Sequence, residues 1–342
     1  MKSEDKGAND MSTPPQNSLV NRNPALGSPF ARKMRSLGSY LRQHWVLYLM
    51  LIPGLFFLFL YKLLPLWGLQ IAFKDYKIFS AETPWKAIAE SAWTSQNGLK
   101  HFYKLFGSSQ FIKVLRNTLE INFMKILWLF PIPIIAAILL NEIRHAFYQK
   151  LCQTLIYVPY FFSWVLIFGV FYSLLGTYGI VNNLIAAMGG ERIGFLTNQS
   201  VFRGILVFTE GWKDVGYNTV IYLAAITGID ITLFEAAKVD GANKFRQIWH
   251  ITLPGLLPTI VLMLIMKVGY ILHTGFEQIL VFYSPAVYDV ADIIETYVYR
   301  IGLGQANFSL ATALGLFNAV VAFILITSSN AVSKKTLGRS IW

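Results

Sequence analysis

Beyond a polar stretch of some forty residues, the apolar positions of this chain gather into six long blocks separated by segments rich in charge, Gly, Pro and Asn. The blocks run from about Trp45 to Leu63, Asn117 to Leu140, Leu151 to Leu175, Val201 to Ile229, Pro254 to Phe276 and Leu310 to Thr327. A helix of about 20 apolar residues crosses the ~30 Å hydrocarbon core of a bilayer. It also satisfies its own backbone hydrogen bonds there, which an isolated strand cannot do. The pattern therefore predicts an all-α polytopic membrane protein with six transmembrane helices. Pro131 and Pro133 should kink the second, because each removes a backbone donor.

Between the blocks the pattern predicts the rest of the organisation. Residues 1–44 read as a disordered tail, polar and interrupted by Pro14, Pro15, Pro24 and Pro29. Its basic end, Ala31 to Arg42, suits either a helix lying on an anionic leaflet or a solvated linker. Residues 45–64 form the first span and 65–112 a long outer loop. Residues 113–330 form a core of five spans that includes the loop 230–254, and 331–342 form a cytoplasmic tail. Gly179 to Met188 should make a short amphipathic helix closed by Gly189-Gly190. The stretch from Phe276 to Leu303 is too apolar for a free loop and should fold back onto the outer mouth of the bundle.

Composition agrees and narrows the class. Hydrophobic residues make up 55% and charged ones only 14%, against roughly 25% charged in soluble domains. Mean hydropathy is +0.49. A disordered protein, a disulfide-stapled module and an ordinary soluble enzyme are excluded. The lone Cys152 cannot pair within the chain, and the five His fall in separate segments, so no metal site is expected. The formal charge of +11 need not signal nucleic acid, since cytoplasmic loops of membrane proteins collect Lys and Arg. With both termini inside, fifteen Lys and Arg fall on inner segments and nine on outer ones, seven of the nine near the long outer loop. Long loops translocate with little regard to charge, so the balance favours that orientation.

Catalytic machinery is missing: there is no P-loop, no His-Glu-x-x-His and no Gly-x-Ser-x-Gly. An intramembrane glycan-modifying enzyme would need an acid and a base converging in one cavity, and no spacing provides them. Charges inside spans are instead the informative feature, because each costs about 2.5–3.5 kcal/mol at the membrane centre on insertion scales. Glu210-Gly211-Trp212-Lys213-Asp214, followed by Gly216, should interrupt the fourth span, its charges compensating one another within the helix. It reads either as a break lining a solute path, with Trp212 as a stacking platform, or as an interfacial Trp with a local ion pair. In the fifth span Lys267, Tyr270, Thr274 and Glu277 fall within about 80° of one another at 100° per residue, with His273 at the flank. That polar stripe should line a pore or a subunit interface. Tyr and Trp beside amides and charges suit the hydroxyls and ring faces of sugars. Lys125, in the second span, should snorkel or pair with a neighbouring subunit.

The loop after the fourth span carries the most specific pattern. Asp230 can cap a helix bearing Leu233, Ala236 and Ala237 on one face. Gly241 suits the left-handed residue that ends it, and a second helix starts near Asn243. Glu235-Ala236-Ala237, then three residues, Gly241, nine residues, and Ile251-x-Leu253-Pro254 resembles the EAA loop of ABC importer permeases at every defined position. From about Trp45 to Trp342 the chain is similar to the carbohydrate-uptake branch, the permeases for complex oligosaccharides. Gly68–Tyr76, Gly98–Phe102, Arg116-Asn117-Thr118, Gly275-Phe276-Glu277-Gln278 and Glu295–Arg300 carry that likeness. The resemblance implies a type I importer fold with a cytoplasmic coupling helix in which Leu233, Glu235, Ala236, Ala237, Asp240 and Gly241 dock an ATPase. It implies a substrate pathway through Trp212, Lys213, Lys267, Tyr270, His273, Thr274 and Glu277. Expected partners are a second homologous permease, two ATPase subunits, an extracytoplasmic sugar-binding protein and an oligosaccharide, in a bacterial inner membrane. No cofactor is expected on this chain, with ATP and Mg on the ATPases. A permease for a non-sugar solute is the alternative.

Overall fold

The computed structural model describes residues 43–273 and 275–338. The expected tail and interfacial helix before residue 43 therefore lie outside the described residues, as does Thr274. Two units are distinguished, residues 1–66 and 67–342. In the first, helix α1 (Trp45–Leu58) is apolar on every side, as a segment bathed in lipid must be. A wide turn, Phe59–Leu63, continues it.

The second unit begins with a small lobe built on α2 (Pro84–Glu90) and α3 (Lys100–Phe106). Thr83 accepts from the Lys86 amide to start α2, and Lys74 Nζ donates to the carbonyls of Ile88 (2.7 Å) and Ala89 (3.3 Å) to finish it. Next come α4 (Ser109–Leu129) and α5 (Pro131–Glu142), one long apolar rod divided at Phe130, where Pro131 withdraws its donor. The remaining helices are α6 (Ala146–Tyr157), α7 (Trp164–Leu175), α8 (Ile180–Ala187) and α9 (Gln199–Thr227). They are followed by α10 (Ile231–Val239), α11 (Lys244–Gln247) and α12 (Leu253–Gly269). The chain ends with α13 (Phe276–Phe282), α14 (Tyr288–Ala291), α15 (Ile294–Tyr299) and α16 (Phe308–Leu337). Among the described residues five helical segments are long and apolar enough to cross a membrane, or six if the pair α9 and α10, bent by 69°, counts as one.

Three expectations need correction. The fourth span is not interrupted: α9 runs unbroken through Glu210–Gly216. Its glycines allow close packing instead. A Cβ on Gly216 would stand 2.0 Å from the Ile156 carbonyl oxygen, and one on Gly211 would stand 2.7 Å from Leu129 Cδ2. The break lies in the third apolar block, where α6 gives way to a tight turn at Val158–Phe161 and α7 restarts after Ser163, whose hydroxyl accepts from the Leu166 amide. Pro159 makes that interruption. The fifth span also stops early. α12 ends at Gly269, and Gly275, at φ 95°, turns the chain into α13, so the expected stripe does not lie on one helix.

The stretch 276–303 does fold back onto the bundle. Ile279, Phe282, Val287, Ala291 and Ile293 are buried with Ile121 of α4, Phe171 of α7 and Phe202 and Leu206 of α9. Asn117 Nδ2 donates to the carbonyls of Asp289 (3.0 Å) and Asp292 (3.2 Å), and Arg203 Nε donates to Val290 O at 2.9 Å. Buried irregular backbone of this kind needs such donors.

Candidate functional site

Two places gather the polar residues singled out in the sequence. The first is inside the bundle. Lys125 of α4 and Glu210 of α9 are both buried, and their charged atoms meet at 2.5 Å. Lys125 Nζ also donates to Gln278 Oε1 at 2.8 Å, while Gln278 Nε2 donates to Leu206 O (2.7 Å) and Thr209 Oγ1 (2.8 Å). Both charges are thereby paired, and Lys125 is hydrogen-bonded as well, which makes their low-dielectric burial tolerable. Lys125 thus has its partner within the chain, and Glu210 is compensated by another helix rather than its own. Lys213 serves the break in the third block. Its Nζ donates to the carbonyls of Tyr160 and Phe162, both at 2.6 Å, and lies over the rings of Tyr160 and Trp164. A charged side chain of the fourth block thus satisfies carbonyls that the break in the third would otherwise orphan.

Beside the pair lies a cavity of about 40 Å³ lined by Asn122, Lys125, Glu210, Asp214, Asn218 and Lys267 among apolar side chains. It has room for ordered water but is far below the ~300–1,000 Å³ of small-molecule sites. A sugar unit does not fit within a cavity of that size. Lys267 forms one wall, with its ammonium close enough to interact with the Asp214 carboxylate across the cavity. Tyr270, the residue that closes α12, is 49% exposed. Tyr217 is exposed and stacks on Tyr160 with ring centroids 4.1 Å apart. Trp212 stands about 160° around α9 from Asp214, at 100° per residue. It packs against Phe162 and Phe171, away from Lys267. Glu277 is exposed in the first turn of α13, and His273 belongs to a different pocket, with Glu295 and Asn318.

The second place is the hairpin α10–α11. Asp230 accepts from the Thr232 amide at 2.9 Å, which starts α10 and holds the Asp230 carboxyl below its usual range. Gly241, at φ 73°, ends the helix, with Gly241 N bonded to Lys238 O and Ala242 N to Ala237 O at 2.8 Å. Asn243 then accepts from the Arg246 amide to start α11. Leu233, Glu235, Ala236 and Asp240 are exposed, and Ala237 is partly so. Ile231 and Val239 are likewise uncovered, at 69% and 88% exposure. One strut returns to the bundle: Lys244 Nζ meets Glu142 at the end of α5 at 2.6 Å.

Sequence reasoning missed the joint role of Lys125, Glu210 and Gln278. The signal available was that two opposite charges fell in different apolar blocks, and such charges seek each other. It also missed Asn117 and Arg203, whose target is backbone that only the folded chain brings near.

A bundle of membrane-length helices with charges paired inside, closed by an exposed helical hairpin, defines a multi-pass membrane transport subunit. Residues 129–337, more than half of the chain, match the family described as the binding-protein-dependent transport system inner membrane component, and the chain belongs to it. It is a permease subunit of an ABC importer, and ATP is hydrolysed on a separate subunit. It is 44% identical over 304 residues to the polygalacturonan/rhamnogalacturonan transport system permease protein YteP of Bacillus subtilis (strain 168), covering 89% of this chain and 92% of that protein. It is 42% identical to protein LplB of the same organism, over 86% of this chain and 90% of that one. Among solved structures it resembles a bacterial ABC transporter involved in the import of the acidic polysaccharide alginate. The TM-score is 0.79 at 38% identity, with 88% of this chain and 99% of that one covered. A second structure of a bacterial alginate transporter, in complex with a periplasmic protein bound to alginate pentasaccharide, matches with a TM-score of 0.78 at 38% identity.

Proposed function

We propose that this chain is one of two permease subunits of an importer that takes up oligosaccharides, acidic ones in particular, from an extracytoplasmic binding protein. The observation that carries this reading is the uncovered helix α10. Ile231, Leu233 and Val239 stand exposed at the end of the longest buried-charge helix, on a hairpin whose caps are all satisfied. Such a surface is built to be covered by another protein. Its small residues, Ala236 and Ala237, let that partner approach closely, and Glu235 and Asp240 offer it charge. An ATPase subunit bound here would pass the closure of its dimer to α9 and α12. Both termini would then be cytoplasmic, with the lobe 67–106 outside. ATP shifts the pore between inward- and outward-facing forms only in so far as the partners bind the two forms differently.

Acidic sugar units would pass along the end of α12 that bears Lys267 and Tyr270, with Lys267 as the cation for a uronate carboxylate and the Tyr270 ring for a sugar face. The relatives named for polygalacturonan, rhamnogalacturonan and alginate support this substrate class. Glu277, exposed in the first turn of α13, extends the proposed path at its edge. The test is uptake of a galacturonate trisaccharide by the assembled importer. Lys267→Gln should raise KM about tenfold, the size of one charge-assisted hydrogen bond, with assembly intact. An unchanged KM would remove Lys267 from the path.

A further inference from the structure

The hairpin end of the bundle carries a second exposed patch, and its chemistry differs from that of α10. Phe245 and Trp249 stand 72% and 60% exposed, with ring centroids 6.4 Å apart and planes within 15° of parallel. Each lies about 160° around the helix from the buried Gln247, at 100° per residue, so both point away from the bundle. At the start of α6 a second pair, Phe147 and Tyr148, is likewise exposed, with rings 5.6 Å apart. One ion pair holds the two starts together: Lys244 Nζ meets Glu142, just before α6, at 2.6 Å.

Charge gathers around these rings with one sign. Residues 142–150 and 243–250 hold Arg144, Lys150, Lys244 and Arg246 against the single acid Glu142, which Lys244 already engages. Arg144 and Arg246 each stand two positions beyond that ion pair. Both are exposed, and neither has an ion pair of its own among the described residues. The segment Lys244–Gly269 is long and apolar enough to cross a membrane. Its 26 residues reach about 39 Å at 1.5 Å each, which overruns a ~30 Å hydrocarbon core by about 4–5 Å at either end. Centred on the core, it sets Lys244–Arg246 among the headgroups and Trp249 at the edge of the acyl chains. Trp and Tyr suit that depth, where one part of the ring meets apolar chains and another meets water. α10 offers aliphatic and small side chains instead, the surface of a protein contact.

We propose that the joined starts of α6 and α11 form a binding surface for anionic phospholipid in the leaflet at the hairpin's end. Arg144 and Arg246 donate to the lipid phosphate, and Lys150 adds to the positive potential that draws it. Tyr148, Phe245 and Trp249 lie at the boundary between headgroup and acyl chain. A zwitterionic lipid fits less well, because its own cation competes for the phosphate and is repelled by the arginines. The hairpin is thereby moored to the membrane at α11, while α10 stays open to its protein partner. This lipid contact is independent of the solute carried.

The test uses the assembled importer in vesicles of phosphatidylcholine and phosphatidylglycerol in equal parts, with one of the two lipids brominated on its acyl chains at a time. The Trp249 signal is the fluorescence lost in Trp249→Phe, and its quenching reports which lipid sits beside the ring. Brominated phosphatidylglycerol should win that place over phosphatidylcholine by about 25-fold, fivefold for each of two cations at an anionic surface. Arg144→Gln and Arg246→Gln together should bring the two lipids level, while the subunits still co-purify. Equal quenching by both lipids in the unaltered importer overturns the anionic site. Quenching by neither also overturns it, and assigns the rings to contact with another subunit. A preference that survives in the double variant removes the two arginines from the site. No solute is present in this assay, so its failure leaves the oligosaccharide reading standing.

Discussion

Replacing Lys125 with Met tests the buried pair from which the interior is argued. Met matches the lysine stem in length, so packing is kept while the ammonium is lost. Glu210, 9% exposed, then faces a 40 Å³ cavity without its partner, and Gln278 Oε1 loses its donor. Removing one member of a buried pair costs about 3–5 kcal/mol, whereas replacing both by apolar groups is often neutral or stabilising. Lys125→Met and Glu210→Met should each fall in that range, and the double variant should lie within about 1 kcal/mol of the unaltered chain. The cycle would then give a coupling well above the ~0.5 kcal/mol scatter of independent sites. The assay is SDS-driven unfolding of the purified chain in mixed micelles, followed by the fluorescence of its nine Trp residues. Single variants indistinguishable from the parent, or losses that simply add, would refute the pairing.

Other expectations follow from close approaches and from titration. Gly216→Ala puts a Cβ 2.0 Å from the Ile156 carbonyl, which no rotamer relieves. It should cost about 3 kcal/mol, the upper end of overpacking. Gly204→Ala on the same helix meets nothing within 4 Å and should gain up to ~1 kcal/mol. Equal effects in the unfolding assay would contradict the close packing of α6 on α9. Gly241→Val forces a branched residue to φ 73°. Membrane insertion measured by fractionation should be normal, while ATPase activity of the assembled importer loses its response to loaded binding protein. His101 is buried against Lys74 O, with Nε2 3.2 Å away, and burial pushes its pKa below 6.5. The neutral form is the one folded in, so its contribution is complete above pH 6.5 and is lost as pH falls below it. The lobe 67–106 should be cut by protease faster at pH 5 than at pH 7.5, and His101→Gln should flatten that difference.

Much of this was legible in the apolar pattern, because a segment surrounded by lipid announces itself by composition alone. The caps of the hairpin were legible too: Asp230, Gly241 and Asn243 act on amides and carbonyls within five residues of themselves. What sequence distance hid was pairing across helices. Glu210, Lys213 and Asp214 look like a self-neutralising cluster, yet Glu210 meets Lys125 eighty-five positions earlier and Lys213 binds carbonyls some fifty earlier. The glycines beside them loosen nothing, since Gly216 is needed for contact with Ile156 and is paid for by a tightly packed α9. The stripe from Lys267 to Glu277 was drawn on an ideal helix. Gly269 and Gly275 were the only local hints that the helix ends between them.

In the proposed importer an oligosaccharide delivered outside this chain is coupled through α10 to ATP hydrolysed inside. The direct measurement is the ATPase rate of the purified complex of this chain, its second permease and its ATPases, with and without a binding protein carrying galacturonate oligosaccharide. The rate should rise several-fold with loaded binding protein in the unaltered complex and stay flat when Gly241→Val is present. A rate indifferent to the loaded binding protein in the unaltered complex, or a rise undiminished by Gly241→Val, would contradict that coupling.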